Sequence, residues 1–221
     1  MSIKIITTED GSHSLYDQEL NETYHSTRGA KGESLHVFIQ EGLEYWLAQN
    51  KSEQIRVLEI GLGTGLNAFL TALFATKQSQ SIHFTTLEPY PVEASIYENL
   101  NYYSIQAEKD LLTQIHTCSW NERHELNSFF EFSKEKIKLE HFERNEHFDL
   151  IFFDAFAPSK QPEVWSLENL QKCYTLLANG GLLTTYCAQG QFKRNLAEAG
   201  FEVETLQGAM GKKEMVRGVK L

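Results

Sequence analysis

Residues 55–67 constrain this chain more than any other stretch. They read Ile-Arg-Val-Leu-Glu-Ile-Gly-Leu-Gly-Thr-Gly-Leu-Asn. An apolar run rich in β-branched residues ends in a turn bearing Gly61, Gly63 and Gly65. Apolar residues at helical spacing follow, at Leu66, Phe69, Leu70, Leu73 and Phe74. Such a pattern predicts a buried strand, a tight turn and a helix, the opening of a βαβ unit. Glycines lack a Cβ, so the backbone there can turn sharply and come close to a ligand. The helix start behind the turn presents N–H groups without intrahelical partners.

The details of the turn bear on the ligand. A dinucleotide fingerprint has the spacing G-x-G-x-x-G, but here the third glycine comes one residue early, at Gly65, and Leu66 follows. Glu59 stands just before the first glycine, where a carboxylate repels a pyrophosphate and welcomes an ammonium. Glu88 ends the next apolar run, 82–87, where an acid can hold both ribose hydroxyls. The two acids favour S-adenosylmethionine over a nicotinamide dinucleotide. A strand–turn–helix without any ligand is the plain alternative, since glycine triplets alone are weak signals.

A length of 221 residues with 41% hydrophobic and 12% aromatic content suits one large α/β domain, or a domain with an appendage. The formal net charge of -10 argues against non-specific polyanion binding, so a nucleic-acid partner would need a local basic patch. Cys118, Cys173 and Cys187 lie far apart, without a C-x-x-C pair. That pattern points to a reducing compartment and away from a disulfide or zinc framework. No apolar run resembles a signal peptide or reaches membrane-spanning length, which makes the cytoplasm the expected location and no metal or membrane expected.

In chain order, residues 3–16 predict a hairpin around Asp10-Gly11. Residues 23–34 are polar and predict a loop, and a helix follows over 34–49 with Val37, Phe38, Leu43, Trp46 and Leu47 on its apolar side and His36 and Glu41 in solvent. Residues 1–50 are thus expected to form an extension of hairpin, loop and helix packed on a main domain, 51–221. Within that domain the pattern predicts helix 67–75, strand 82–87, and helical stretches over 92–100 and 107–115. An inserted hairpin is expected near 120–135, then a short strand over 136–139. Strand 148–153, a helix capped by Ser166, strand 182–186, helix 192–199, and a closing antiparallel pair at 201–206 and 215–219 complete the chain. Alternation of strands and helices implies a doubly wound sheet.

Ligands of open α/β sheets sit beyond the carboxyl ends of the strands. Glu59, Glu88, Glu140 and Asp154 each stand at such an expected end. We assign Glu59 to the methionine ammonium, directly or through a water, Glu88 to the ribose and Glu140 to the adenine amino group. Lys138 and His141 beside Glu140 are equally consistent with a solvated face. Asp154 is the catalytic candidate. It opens Asp154-Ala155-Phe156-Ala157-Pro158, where a carboxylate can accept an amine proton and Phe156 can form an aromatic wall beside a cation. A turn residue and a core aromatic are the alternative reading. Tyr24, His25 and Ser26 are candidates for an acceptor pocket, although a lone His in a polar loop is more often structural. Lys193, Arg194, Lys212, Lys213 and Arg217, with Lys31 and Arg28, are the candidate phosphate contacts.

Tyr24-His25-Ser26, Gly29-Ala30 with Glu33-Ser34, the Glu59-to-Asn67 turn, Asp154-Ala155-Phe156-Ala157-Pro158 with Trp165, and Gly211-Lys212-Lys213-Glu214-Met215 together resemble one family. It is the methyltransferase domain of the MnmC-type tRNA 5-methylaminomethyl-2-thiouridine biosynthesis proteins, and the likeness runs over nearly the whole chain. The resemblance implies a class I S-adenosylmethionine-dependent, Rossmann-like fold. It also implies methylation of the 5-aminomethyl group on a wobble uridine of tRNA, with Asp154 at the acceptor amine. By motif position, Gly61, Gly63, Gly65 and Asn67 join the cofactor set, and Phe156 and Trp165 join Tyr24, His25 and Ser26 at the substrate. Bifunctional members carry a flavin-dependent oxidase that makes the aminomethyl group. This chain has no room for one, so a separate upstream enzyme is expected to supply it. A small-molecule amine methyltransferase, or a non-catalytic cofactor-binding partner, are the competing readings.

Overall fold

A computed structural model describes residues 3–221; Met1 and Ser2 lie outside the described residues. The chain opens with a small antiparallel sheet of β1 (Ile3–Thr7), β2 (His13–Asp17) and β3 (Glu22–Thr23). One long helical run follows. It comprises α1 (Ala30–Ser34), a wider π-wound section Leu35–Glu44, and α2 (Tyr45–Gln49).

Thus part of the stretch expected to be a loop is strand and helix. The reason is tertiary. Gly29 precedes α1 and offers no side-chain cap. Instead the β1–β2 turn supplies acceptors for the helix start: Asp10 Oδ2 takes the Gly32 N–H at 3.0 Å and Ser12 Oγ takes the Lys31 N–H at 3.1 Å. His36 and Glu41, expected in solvent, are half-buried. His36 Nε2 sits 2.9 Å from the Gln207 carbonyl.

The main sheet holds β4 (Gln54–Ile60), β5 (Ser81–Leu87), β6 (Arg123–Asn127), β7 (Phe130–Glu135), β8 (Phe148–Phe153), β9 (Leu177–Thr185), β10 (Glu202–Gln207) and β11 (Glu214–Val219). Their order is β10-β11-β9-β8-β4-β5-β7-β6. The five central strands, β9-β8-β4-β5-β7, run parallel. The chain leaves β4 toward β5 and β7 on one side, then returns to lay β8 on the other. The strand order therefore switches between β4 and β8, which places a ligand crevice at their carboxyl ends.

Side chains alternate across β4 as a strand requires. Ile55 and Val57 join Phe38, Phe69, Phe84 and Phe152 under α3 (Leu66–Gln78), α5 (Gln106–Thr117) and the π-wound section. Leu58 and Ile60 join Phe153, Leu170 and Leu196 under α6 (Leu167–Leu176) and α7 (Gly190–Glu198). Ser166 caps α6, its side chain accepting the Asn169 N–H.

Three further expectations are corrected. The hairpin near 120–135 is not an insertion: β7 pairs parallel with β5 from Ile82↔Phe130 to Leu87↔Glu135, so it is a strand of the central sheet, and only β6 is an added edge. Residues 136–139 form no strand, because Leu139 turns inward in a 3₁₀ turn (Leu139–His141) to pack with Phe142. The helix expected over 92–100 shrinks to α4 (Ala94–Tyr97), which buries no residue and so has no apolar stripe to extend it.

Candidate active site

The crevice at the β4–β8 switch is a cleft of about 840 Å³, counting its open mouth. Its floor is Ile60, Gly61 and Gly63, and Leu87, Glu88, Pro89 and Tyr90 line one side. Ile137 to Glu140 close a second side, and Asp154, Ala155, Phe156, Gln161, Glu163 and Val164 a third, with Tyr24 over the top.

The glycine turn is built for close approach. Gly61 and Gly63 have φ of 95° and 51°, in the left-handed region that side chains disfavour. A Cβ on Gly63 would stand 3.1 Å from Tyr24 Cδ1. Glu88 fixes the turn from below, accepting the Gly63 N–H at 3.0 Å on one oxygen and the Tyr90 N–H at 2.7 Å on the other. Each oxygen keeps a lone pair for a further donor. Burial raises its pKa, against the lowering effect of these backbone bonds.

Asp154 follows β8 directly and is half-buried at the cleft. Asn67, at the start of α3, donates to its Oδ2 at 2.8 Å. Desolvation pushes the Asp154 carboxyl up to about 7. The next residues are held through their backbone. Tyr186 Oη donates to the Ala155 carbonyl at 2.8 Å, and Trp165 Nε1 donates to the Phe156 carbonyl at 2.8 Å. Phe156 meets Tyr24 edge-on, with ring centroids 4.8 Å apart.

Cleft residues thus include Tyr24, Gly61, Gly63, Glu88, Glu140, Asp154 and Phe156 from the expected set. Glu140 reaches the cleft from the 3₁₀ turn rather than from a strand end. The other candidates lie elsewhere. Glu59 is fully buried beneath the turn, where Thr86 donates to its Oε2 at 2.7 Å and desolvation drives its pKa well above the ordinary range. It does not line the cleft, so it makes no direct wall for an ammonium. Gly65 starts α3 behind the turn, and Asn67 positions Asp154.

His25 is buried against Ser14 Oγ at 3.1 Å, and burial lowers its pKa to about 4. Ser26 serves the backbone, giving its N–H to Glu33 and accepting that of Arg28. Trp165 is core, packed on Phe153 and Phe192. Tyr90, Ile137, Gln161, Glu163 and Val164 were not expected on the wall. Only Tyr90 carried a signal, its place two residues after Glu88 between Pro89 and Pro91.

Three of the seven residues of the expected basic strip are consumed by internal ion pairs. Arg217 is buried, bonded to Glu204 and Glu41 and stacked 3.3 Å over the Tyr45 ring. Lys193 pairs with Glu214 and Lys212 with Glu33. Arg194, Lys213 and Arg28 are exposed. Among the described residues no group of three or more His, Cys, Asp or Glu could hold a metal, and no helix is long and apolar enough to cross a membrane.

The cleft fits a cationic sulfonium nucleoside. Glu88 offers a buried carboxylate to a diol, Glu163 and Asp154 give the wall negative charge, Glu140 is paired with Lys138 on the same wall, and the orphaned Glu59 Oε1 lies under the glycine turn. The model of one family, described as S-adenosyl-L-methionine-dependent methyltransferase, matches residues 98–221. This chain belongs to that family.

The methyltransferase is 30% identical to the tRNA 5-methylaminomethyl-2-thiouridine biosynthesis bifunctional protein MnmC of Pseudoalteromonas atlantica, over 90% of this chain and 31% of that protein. It is 29% identical to the protein of the same name from Leptospira interrogans, over 91% of this chain and 33% of that protein. The chain therefore spans about a third of the length of these relatives. Among solved structures, MNMC2 from Aquifex aeolicus shares the fold, with a TM-score of 0.80 at 23% identity over 99% of this chain and 70% of that one. The class I, Rossmann-like architecture and the use of S-adenosylmethionine follow for this methyltransferase.

Proposed function

We propose that the enzyme methylates the 5-aminomethyl group of a wobble (2-thio)uridine in tRNA, giving the 5-methylaminomethyl form. The observation that carries this reading is Asp154. It is a desolvated carboxylate at the switch-point cleft, oriented by Asn67, in a chain that aligns over nine-tenths of its length with MnmC proteins. S-adenosylmethionine supplies an already activated methyl on a positive sulfur, so the protein mainly aligns donor and acceptor and excludes water. Alignment of this kind is worth up to ~7–11 kcal/mol in ideal cases.

The residues divide that work. Gly61 and Gly63 let the backbone approach the cofactor, and Glu88 receives the ribose hydroxyls. Asp154 accepts an N–H of the neutral amine and directs its lone pair at the methyl carbon. The new N–C bond forms as the S–C bond breaks, and the released proton passes to Asp154 and on to solvent. Tyr24 and Phe156 form the aromatic wall that shields the charge in flight. Trp165 and Tyr186 hold that wall by its carbonyls.

In this reading the enzyme works in the cytoplasm on RNA whose aminomethyl group another chain has made, and the exposed Arg194, Lys213 and Arg28 contribute phosphate contacts. The test is methyl transfer from labelled S-adenosylmethionine to tRNA carrying 5-aminomethyl-2-thiouridine, with unmodified tRNA and small amines alongside. Label on the aminomethyl tRNA alone is expected. Label on small amines but not on tRNA would overturn the assignment.

A further inference from the structure

The Gly-Lys-Lys-Glu-Met motif in the turn between β10 and β11 has no place in the cleft wall, and one of its lysines is drawn inward. The turn itself is tightly made: Met210 and Gly211 have φ of 48° and 79°, and the Lys212 N–H bonds the Ala209 carbonyl at 2.8 Å. It is pressed onto the start of α1. A Cβ on Gly32 would lie 2.6 Å from Met210 Sδ, and Arg28 donates to the Met210 carbonyl at 3.4 Å.

From this turn the Lys212 ammonium reaches the buried Glu33 carboxylate and lies 4.5 Å from the centre of the Tyr186 ring. Tyr186 is the residue whose hydroxyl holds the Ala155 carbonyl, next to Asp154. A lysine placed between an acid of the N-terminal extension and an aromatic ring that bonds the catalytic turn is well placed to act on Asp154.

We propose that Lys212 is a positioning residue of the methyl-transfer site: clamped between Glu33 and Tyr186, it fixes the Asp154–Ala155 turn and provides the positive charge that favours the Asp154 carboxylate. Glu33 moderates that charge and ties α1 to the C-terminal hairpin. The charged and titratable groups that face Asp154 are Glu59 from β4, Glu33 from α1, Tyr186 after β9 and Lys212 from the β10–β11 turn, with the neutral Asn67 from α3. Lys212 is the only cation of the set. Its field lowers the Asp154 pKa and that of Glu33 raises it, both against a larger effect of burial. The two members of one ion pair thus act on Asp154 with opposite sign, so removing either one alone should move its titration in a predictable direction.

The inference rests on reading Asp154 as the acceptor-facing base, and its test does not depend on the RNA substrate. The Asp154 carboxyl is titrated by carbon NMR in protein labelled at the aspartate side-chain carboxyl carbon, with Asp154→Asn identifying the resonance. Lys212→Met is expected to raise the midpoint by about half to one pH unit. Lys212→Arg should leave it near the parent value, and Glu33→Gln should lower it. Midpoints that stay fixed, or that move the same way in Lys212→Met and Glu33→Gln, would overturn the proposal. If Lys212→Met does not fold, Lys212→Gln decides in its place: a raised midpoint supports the proposal, and an unmoved or lowered one refutes it. A parent enzyme that titrates as expected yet methylates no aminomethyl tRNA refutes the substrate reading and leaves Lys212 standing. An active enzyme with unmoved midpoints refutes only Lys212.

Discussion

Asp154→Asn should make the protein more stable while removing its activity. The side chain sits in a partly desolvated site whose strong partner is a single amide from Asn67. An asparagine has the same shape, and its carbonyl can accept the same N–H. The parent carboxyl is raised from 3.8 to about 7 in the fold. At ~1.4 kcal/mol per pH unit that displacement sets a ceiling of roughly 4 kcal/mol on the cost of holding the charge there. Asp154 faces an open cleft, and solvent screening brings the realised cost to about 1–2 kcal/mol. The sign follows from proton linkage. Below about pH 4 both states are protonated. Between about 4 and 7 the folded state keeps its proton while the unfolded state loses it, so this contribution to stability falls as pH rises and is gone above about 7. Asn has no such dependence. Thermal unfolding of the apo protein should therefore show Asp154→Asn melting ~2–8 °C above the parent at pH 8, with the gap closing toward pH 4.5. Glu59 titrates in both proteins, and losing the Asp154 charge relieves part of the rise in its pKa, which adds to the variant's advantage at high pH. Methyl transfer by the variant should fall ~10²–10⁴-fold, the usual contribution of a positioned proton acceptor. A gap that does not change with pH, or a parent more stable than the variant at pH 8, would refute the reasoning.

Glu88→Gln should weaken S-adenosylmethionine about ten- to a hundredfold by calorimetry, since it removes a charged acceptor worth roughly 1.5–3 kcal/mol per bond; unchanged affinity would remove Glu88 from the site. Gly63→Ala introduces a Cβ 3.1 Å from Tyr24 Cδ1 at a φ of 51°, and with ~1–2 kcal/mol of left-handed strain it should lower both melting temperature and cofactor affinity. Trp165→Phe keeps the ring but frees the Phe156 carbonyl, which Trp165 Nε1 now holds at 2.8 Å; KM for the acceptor should rise several-fold with little change in cofactor affinity by calorimetry. S-adenosylmethionine should bind more tightly as pH rises from 6 to 8, because Asp154 ionises beside its positive sulfur. The neutral product S-adenosylhomocysteine should show a flatter profile, and parallel profiles would argue that Asp154 does not face the sulfur.

What the sequence made legible here is what its local patterns encode. The Ile55–Leu58 run, the glycine turn and the spacing of Leu66, Phe69 and Leu70 each act within a few residues, and the predicted strand, turn and helix are those observed. Asp154 at the end of an apolar strand was equally visible, because the position of a strand end follows from where its apolar run stops. The misses share a cause: they depend on contacts between distant segments. No local signal distinguishes an inserted hairpin from one whose second strand pairs with β5, since the 42 residues (88–129) that separate β5 from β7 leave the pairing open. The α1 start was hidden because its caps come from Asp10 and Ser12, some twenty residues earlier. Glu59 and Asn67 were placed among the cofactor contacts because their motif adjoins the turn, but the pleat sends Glu59 under it and the first turn of α3 aims Asn67 at Asp154. Arg217 and Lys212 were read as surface charges because charge is what a sequence displays, whereas partnership is what a fold decides. Glu41, Glu204 and Glu33 convert those cations into internal struts, which leaves the acidic surface with fewer free cations for RNA than the sequence counts. If the chain acts on tRNA as proposed, it must do so through a few exposed cations such as Arg194 and Lys213, and its binding should then show a shallow dependence on salt.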